Sequence, residues 1–176
     1  IFYENFQRAT VKFTDLSHRI GRCSGVSKKD MDGFDSLSTL NSRLSALAAS
    51  DSSTYELLEL ASSGNTIDAL RVNSGDQPTM MIVCGMRAND FESAQSCVEL
   101  AESDLASQFP GMNFIIAPVA NPNGYDYAFD TDRFWTKTRD ENSVCGGVDL
   151  SRNFDYNFEA SDDPCSRSYS GESARS

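Results

Sequence analysis

Histidine is nearly missing from this sequence: His18 is the single one. A zinc site built from several histidines within the chain is therefore excluded, and so is a Ser-His-Asp triad unless His18 is its base. Long hydrophobic runs are missing too; none approaches the ~18 consecutive apolar residues of a membrane span. The cysteines, Cys23, Cys84, Cys97, Cys145 and Cys165, include no CxxC pair, which argues against a zinc knuckle. No dense Lys/Arg cluster offsets the acidic balance: 15 Lys+Arg against 26 Asp+Glu leave a formal net charge of −11. Nucleic acid and anionic membrane surfaces are thus poor partners. There is no N-x-S/T sequon, internal repeat or low-complexity segment.

What remains is an ordinary globular composition. With 176 residues and 39% hydrophobic residues the chain is able to bury a real core. Five cysteines leave at least one thiol free or paired outside the chain. The sequence starts at Ile1 without a signal peptide, the mark of a processed or incomplete chain. Residues 1–33 hold no helical or strand period and read as an N-terminal arm or pro-region junction. His18 falls there and reads as an exposed or capping residue.

From Phe34 the pattern sharpens. Phe34, Leu37, Leu40, Leu44 and Leu47 recur at helical spacing, with Asp35 or Ser36 as cap and Ala49–Ser53 as the end. Tyr55–Ala61 and Ile67–Val72 read as two strands joined by the hairpin turn Ser62-Ser63-Gly64-Asn65. Met80–Cys84 is a third strand. Phe91, Ala94, Val98, Ala101 and Leu105 predict one helix stopped by Pro110-Gly111. Phe114–Val119 is a fourth strand, ending in the loop signal Asn121-Pro122-Asn123-Gly124. A last strand is expected around Val148–Leu150. Alternating strands and helices imply an α/β mixed sheet flanked by helices, its antiparallel part supplied by the hairpin. Ligands in such sheets gather beyond the carboxyl ends of strands, here at the loops from Gly85, Asn121 and near Ser151.

Those loops carry a family resemblance. Asn121-Pro122-Asn123-Gly124-Tyr125 resembles the N-P-D-G-Y loop of zinc carboxypeptidases of the pancreatic A/B type, peptidase family M14. Asp132–Arg139 (DRFWTKTR) is similar to that family's N-R-x-W-R-K-T-R. Cys145–Phe154 (CGGVDLSRNF) resembles C-x-G-V-D-x-N-R-N-W, and Pro164-Cys165-Ser166 with Tyr169-Ser170-Gly171 resembles P-C-S-E-x-Y-x-G. Each motif alone is weak. Four in the family's order at near-family spacing are strong, and they place residues 34–176 as the N-terminal portion of a carboxypeptidase-like domain.

The same register exposes departures. The family's first zinc motif, G-[IM]-H-x-x-E-W, corresponds to Gly85–Phe91 (GMRANDF). Arg87 stands at the zinc-binding His and Asp90 at the zinc-binding Glu. A guanidinium has no acceptor lone pair and stays protonated, so it offers a fixed positive charge where imidazole would offer a ligand. Asp90, one methylene short, is expected to pair with Arg87. Thr136 replaces the Arg that polarises the scissile carbonyl in the family; its hydroxyl carries no charge. Ser151 replaces the Asn of the pair that clamps the substrate's terminal carboxylate. Arg152 of that pair and the subsite residue Arg133 are retained, as remnants for a peptide C-terminus; a structural ion pair with Asp149 or Asp155 is the plainer reading of Arg152. Tyr125, Trp135 and Phe154 read as packing residues.

The resemblance also implies a Cys145–Cys165 disulfide, hence an oxidising compartment and secretion to the extracellular space or a secretory granule. Cys84 and Cys97 are open to bridging, with buried thiols or a pairing to Cys23 preferred. The family's third zinc ligand and its general-base Glu would lie beyond Ser176. Together these readings imply a catalytically inactive homologue without a cofactor, serving as a binding or structural subunit. Its expected partner is a C-terminal chain of the same precursor, with peptide C-termini or other proteins as further ligands. The alternative is an active zinc metallocarboxypeptidase whose remaining half completes the site.

Overall fold

A computed structural model describes residues 33–62, 65–140 and 145–175. Residues 1–32 of the N-terminal arm, with His18 and Cys23, lie outside the described residues, as do Ser63 and Gly64 of the expected hairpin turn.

Helix α1 spans Leu37–Ser50. Ser36 caps it by accepting a hydrogen bond from the Thr39 N–H at 3.2 Å, which satisfies one of the unpaired N–H groups of the first turn. Leu40 and Leu44, one turn apart, are fully buried, as the leucine spacing requires. After the helix, the Asp51 carboxylate accepts from the Ser53 and Thr54 hydroxyls and the Ser53 N–H. Those bonds hold its pKa below the usual aspartate value.

Strands β1 (Tyr55–Ser62) and β2 (Asn65–Val72) form the expected hairpin, with Tyr55 opposite Val72 and Leu57 opposite Leu70. Strand β3 is Thr79–Val83 and β4 is Asn113–Ala117. The sheet order is β1-β2-β4-β3. Strand β4 runs antiparallel to β2 and parallel to β3, so the sheet is mixed as expected. The apolar run in β4 follows from its central place: four of its five residues are buried. Strand β3 lies at the edge and leaves Met80, Met81 and Val83 exposed.

The parallel pair needs a crossover, and helices supply it. Here the expected single helix is two: α2 (Phe91–Ala101) and the short α3 (Leu105–Gln108). The break falls at Asp104, whose left-handed φ of 59° is incompatible with a continuous helix. The core forms where α1 and α2 pack with the sheet: Leu40 and Leu44, Phe91, Ala94 and Val98, and Leu70, Val72, Phe114 and Ile116.

Two further expectations are corrected. Asn121-Pro122-Asn123-Gly124 is not an open loop; it starts helix α4 (Pro122–Asp130). Asn121 caps that helix by accepting from Gly124 N–H at 3.2 Å, and Pro122 fills the first turn, where a missing N–H costs nothing. Val148–Leu150 is no strand. Val148 is tied to Thr138 alone, donating its N–H to the threonine Oγ1 and accepting from the threonine N–H. The chain then enters a single 3-10 turn, Leu150–Arg152, capped by Asp149.

Candidate functional site

The loops leaving β3 and β4 meet at one end of the sheet. Gly85 begins the first of them with φ of 58°, and a Cβ there would stand 2.8 Å from the Pro118 carbonyl oxygen. The position therefore needs glycine both for its backbone and for close approach to the neighbouring loop. Asn121 ties the loops together: its Nδ2 donates to Lys137 O at 3.0 Å and to Met86 O at 3.4 Å. The Ala88 N–H donates to Thr136 O at 3.2 Å. Loop 85–90, the start of α4 and segment 132–139 are thus joined by the Asn121 side chain and by one backbone bond.

At the centre lies Asp149, 1% exposed. Its Oδ1 accepts from the Ser151 N–H at 3.0 Å and from the Ser151 hydroxyl at 2.6 Å. Its Oδ2 receives two cations, Arg87 through a terminal guanidinium nitrogen at 3.4 Å and Arg152 through Nε at 3.7 Å. Both arginine side chains remain about half exposed, at 50% and 57%. A buried carboxylate is tolerated only when paired and hydrogen-bonded, and Asp149 is both.

This geometry corrects the expected Arg87–Asp90 pair. Asp90 is occupied as the N-cap of α2, accepting from Ser93 N–H at 3.3 Å. Arg87 reaches Asp149 instead, 62 residues along the chain. The plainer reading of Arg152 is the observed one for Asp149, while Asp155 pairs with Arg175. Ser151 directs its hydroxyl at Asp149. Thr136 turns away: its hydroxyl donates to Arg167 O at 2.9 Å. Arg133 donates to Asn89 O at 3.1 Å and lies over the Phe91 ring at 4.5 Å. So Arg87, Ser151 and Arg152 come together, whereas Asp90, Thr136 and Arg133 are committed to neighbouring structure.

At the two positions that the resemblance assigns to zinc ligands, Arg87 is a guanidinium without a lone pair and Asp90 a carboxylate engaged at a helix start, and these donors do not fit the ion. Among the described residues, no group of three or more His, Cys, Asp or Glu side chains is arranged to hold a metal.

Packing around the site is largely as read from the sequence. Tyr125 is buried, edge-on to Phe91 at 4.8 Å, and its hydroxyl donates to Asp35 O at 2.7 Å. Burial, aided by Asp35 and Asp126, pushes the phenol pKa up. Trp135 packs edge-on to Tyr127 and donates its indole N–H to Lys137 O at 2.8 Å. Phe154 departs from expectation: it is exposed, because buried Asn153 beside it is held by Ser170 O and Ser173 O and turns the next residue outward. Lys137 is buried, donates to Pro164 O at 2.6 Å, and has its pKa lowered by desolvation. Two disulfides close the region. Cys145–Cys165 is the pairing expected. Cys84–Cys97 was not preferred; the end of β3 and the buried face of α2 bring the two Cα atoms to 6.5 Å.

Asp149 as the partner of Arg87, and Asn121 as the tie among three loops, were not singled out from sequence. The signal for Asp149 was slight, a lone carboxylate in the run Gly146-Gly147-Val148-Asp149-Leu150.

Comparison with known proteins agrees with this architecture. A family profile described as zinc carboxypeptidase, peptidase M14, matches residues 40–176. Carboxypeptidase B of Helicoverpa zea is 36% identical over 115 residues, covering 56% of this chain and 26% of that protein. Inactive metallocarboxypeptidase ECM14 of Ajellomyces dermatitidis is 31% identical over 171 residues, covering 85% and 29%. The solved structure of bovine thrombin-activatable fibrinolysis inhibitor, in complex with tick carboxypeptidase inhibitor, superposes with a TM-score of 0.68 at 30% identity. That match covers 80% of this chain and 51% of the solved one, so the chain spans between about a quarter and a half of these relatives. The chain belongs to the zinc carboxypeptidase family, peptidase family M14.

Proposed function

We propose that this member of the family is catalytically inactive and serves as a secreted binding or structural subunit. The observation that carries the reading is the Arg87–Asp149 contact: a permanent cation occupies the position of a metal ligand and is anchored there by a buried carboxylate. Two further features support it. Thr136, at the position of the family's carbonyl-polarising Arg, has its hydroxyl committed to Arg167 O. Relatives of comparable similarity include proteins named as inactive as well as carboxypeptidase B.

Secretion is supported by two disulfides, which persist in oxidising compartments. No helix among the described residues is long and apolar enough to cross a membrane. The partner in this reading is a C-terminal chain of the same precursor, completing the sheet at β3. An edge strand exposing Met80, Met81 and Val83 is an aggregation hazard unless covered.

Metal analysis and a C-terminal hydrolysis assay on the full-length protein test inactivity. The expected result is no stoichiometric zinc and no release of terminal residues. Zinc together with chelator-sensitive release would establish the working metallocarboxypeptidase instead. Native mass under non-reducing conditions tests the partner; a well-folded monomer of 19.3 kDa would sink the two-chain idea.

A further inference from the structure

The two edges of the sheet differ. Strand β3 is the edge that a C-terminal chain completes in the reading above. Among the described residues the other edge is β1, first in the order β1-β2-β4-β3. Its register fixes which backbone groups it leaves open. The Asn73 N–H donates to the Thr54 carbonyl at 2.8 Å, so these two are a hydrogen-bonded antiparallel pair. Such pairs alternate along a ladder, which makes Glu56–Arg71 and Leu58–Ala69 the next ones. Tyr55, Leu57 and Glu59 fall between them and turn their backbone groups away from β2. The Tyr55 N–H is taken by Asp51 O at 2.9 Å. The N–H groups of Leu57 and Glu59, and the carbonyls of all three, have no partner among the described residues.

The charge along this edge has one sign. Glu56 is neutralised by Arg71. Glu59 stands directly across from Asp68, whose pKa is raised by desolvation and then by Glu59. At the start of the strand the Tyr55 phenol has its pKa raised by burial, then by the Asp104 and Asp51 carboxylates. None of Asp51, Glu59, Asp68 and Asp104 makes an ion pair among the described residues. At the same edge lies a surface cavity of about 420 Å³, lined among others by Ser53, Tyr55, Leu57, Arg71 and Asn73. Charges on an edge guard against pairing with another copy. Charges of one sign do so by repelling it, and they leave the edge open to a strand of the opposite charge.

We propose that the β1 edge is a docking site for an extended, basic segment of a partner protein, which adds a strand beside Tyr55, Leu57 and Glu59. The backbone of that segment bonds to the open N–H and carbonyl groups, which supply affinity, while its alternate side chains supply specificity. Its Lys or Arg residues lie on the side of Glu59 and Asp68, where their stems cover Leu57, 37% exposed. The apolar residues between them lie on the other face, against half-buried Leu58 and Leu60. The inference goes beyond the non-catalytic reading and does not depend on it, since it requires neither zinc nor its absence.

Calorimetry on the full-length protein tests it with three short capped peptides. One alternates lysine with valine. The second has glutamate in place of lysine. The third keeps the lysines but is N-methylated along its backbone, so its charge is kept and strand pairing is blocked. The lysine peptide is expected to bind, and the other two should bind at least about tenfold more weakly. Hydrogen exchange locates the contact. In the free protein the Leu57 and Glu59 amides should exchange fast beside slower Glu56 and Leu58, and the lysine peptide should slow them. Leu57→Pro removes an N–H that faces away from β2, a change that edge strands accept, and should weaken binding about tenfold. If Leu57→Pro does not fold, the methylated peptide on the unaltered protein makes the same test. Equal binding of the methylated peptide, no binding of the lysine peptide, or unchanged affinity in folded Leu57→Pro overturns the proposal. So do Leu57 and Glu59 amides that are already slow in the free protein. A dimer that Leu57→Pro dissolves overturns it as well, by assigning the edge to a second copy. None of these results bears on the zinc and hydrolysis assays, so failure here is separate from failure of the non-catalytic reading.

Discussion

Residues 34–130 and residues 131–175 are held together by different physics. In the first stretch the buried set is mainly apolar, with Leu40, Leu44, Leu70, Val72, Phe91, Val98, Phe114 and Ile116 packed between helices and sheet. In the second, Thr136, Lys137, Asp149, Asn153 and Ser170 are buried, and among the described residues Val148 is the lone buried large apolar side chain. Its order comes from side chains bonded to distant carbonyls: Asn153 to Ser170, Thr136 to Arg167, Lys137 to Pro164. Apolar burial is non-directional and tolerates movement, whereas hydrogen-bond networks fix geometry and fail where one partner is removed. The Asp149 cluster, with two guanidiniums directed at one carboxylate, is held by the second kind of scaffold.

The largest way to break this contrast is in the apolar half. Phe91 touches the rings of Phe34, Tyr125 and Phe129 and carries the Arg133 guanidinium on its face. Phe91→Ala should cost about 3–5 kcal/mol, read by denaturant unfolding, with protection lost across both stretches. Next is the Cys145–Cys165 bond, with a sequence separation of 20. Replacing both cysteines by serine should cost about 3 kcal/mol in the chain-entropy picture. Hydrogen exchange should then rise in residues 145–171 while β2 and β4 stay protected; equal loss in both places would dissolve the distinction.

A smaller effect is expected at the seam. Asn121→Ala removes the helix cap and the bonds to Lys137 O and Met86 O, and should cost about 2 kcal/mol. Restoration by Asn121→Asp would have to be partial, since a carboxylate can cap but cannot donate to those carbonyls. The smallest is Tyr125→Phe, about 1 kcal/mol from the lost bond to Asp35 O. It also has a pH signature. The folded phenol pKa is raised by burial, so above an unfolded value of about 10 the unfolded chain sheds the proton first. Stability contributed by neutral Tyr125 therefore falls as pH rises beyond 10, and a melt series should show a shallower decline in Tyr125→Phe.

The same contrast explains what could be read in advance. The leucine period of α1, the hairpin and the buried run of β4 follow from burial of one face, which local sequence records. The start of α4 is hidden because asparagine, proline and glycine serve turns and helix starts alike, although Tyr125, Ala128 and Phe129 keep a helical spacing toward the core. The break in α2 depends on a single left-handed residue, Asp104. In the site, motif register located Arg87 and Arg152, yet their shared partner joins loops 62 residues apart and is set by tertiary structure. Local spacing instead suggested Asp90, which α2 had already claimed as its cap.

The Cys84–Cys97 bond has a consequence of its own. It turns the chain from the end of β3 to the middle of α2 into a covalent ring, and Arg87 and Asp90 lie within that ring. One side of the ring belongs to the exposed edge strand, the other to the buried helix. Redox state therefore sets how freely the Arg87 loop wanders: the oxidised ring limits the conformations open to it in the unfolded chain, and reduction restores them.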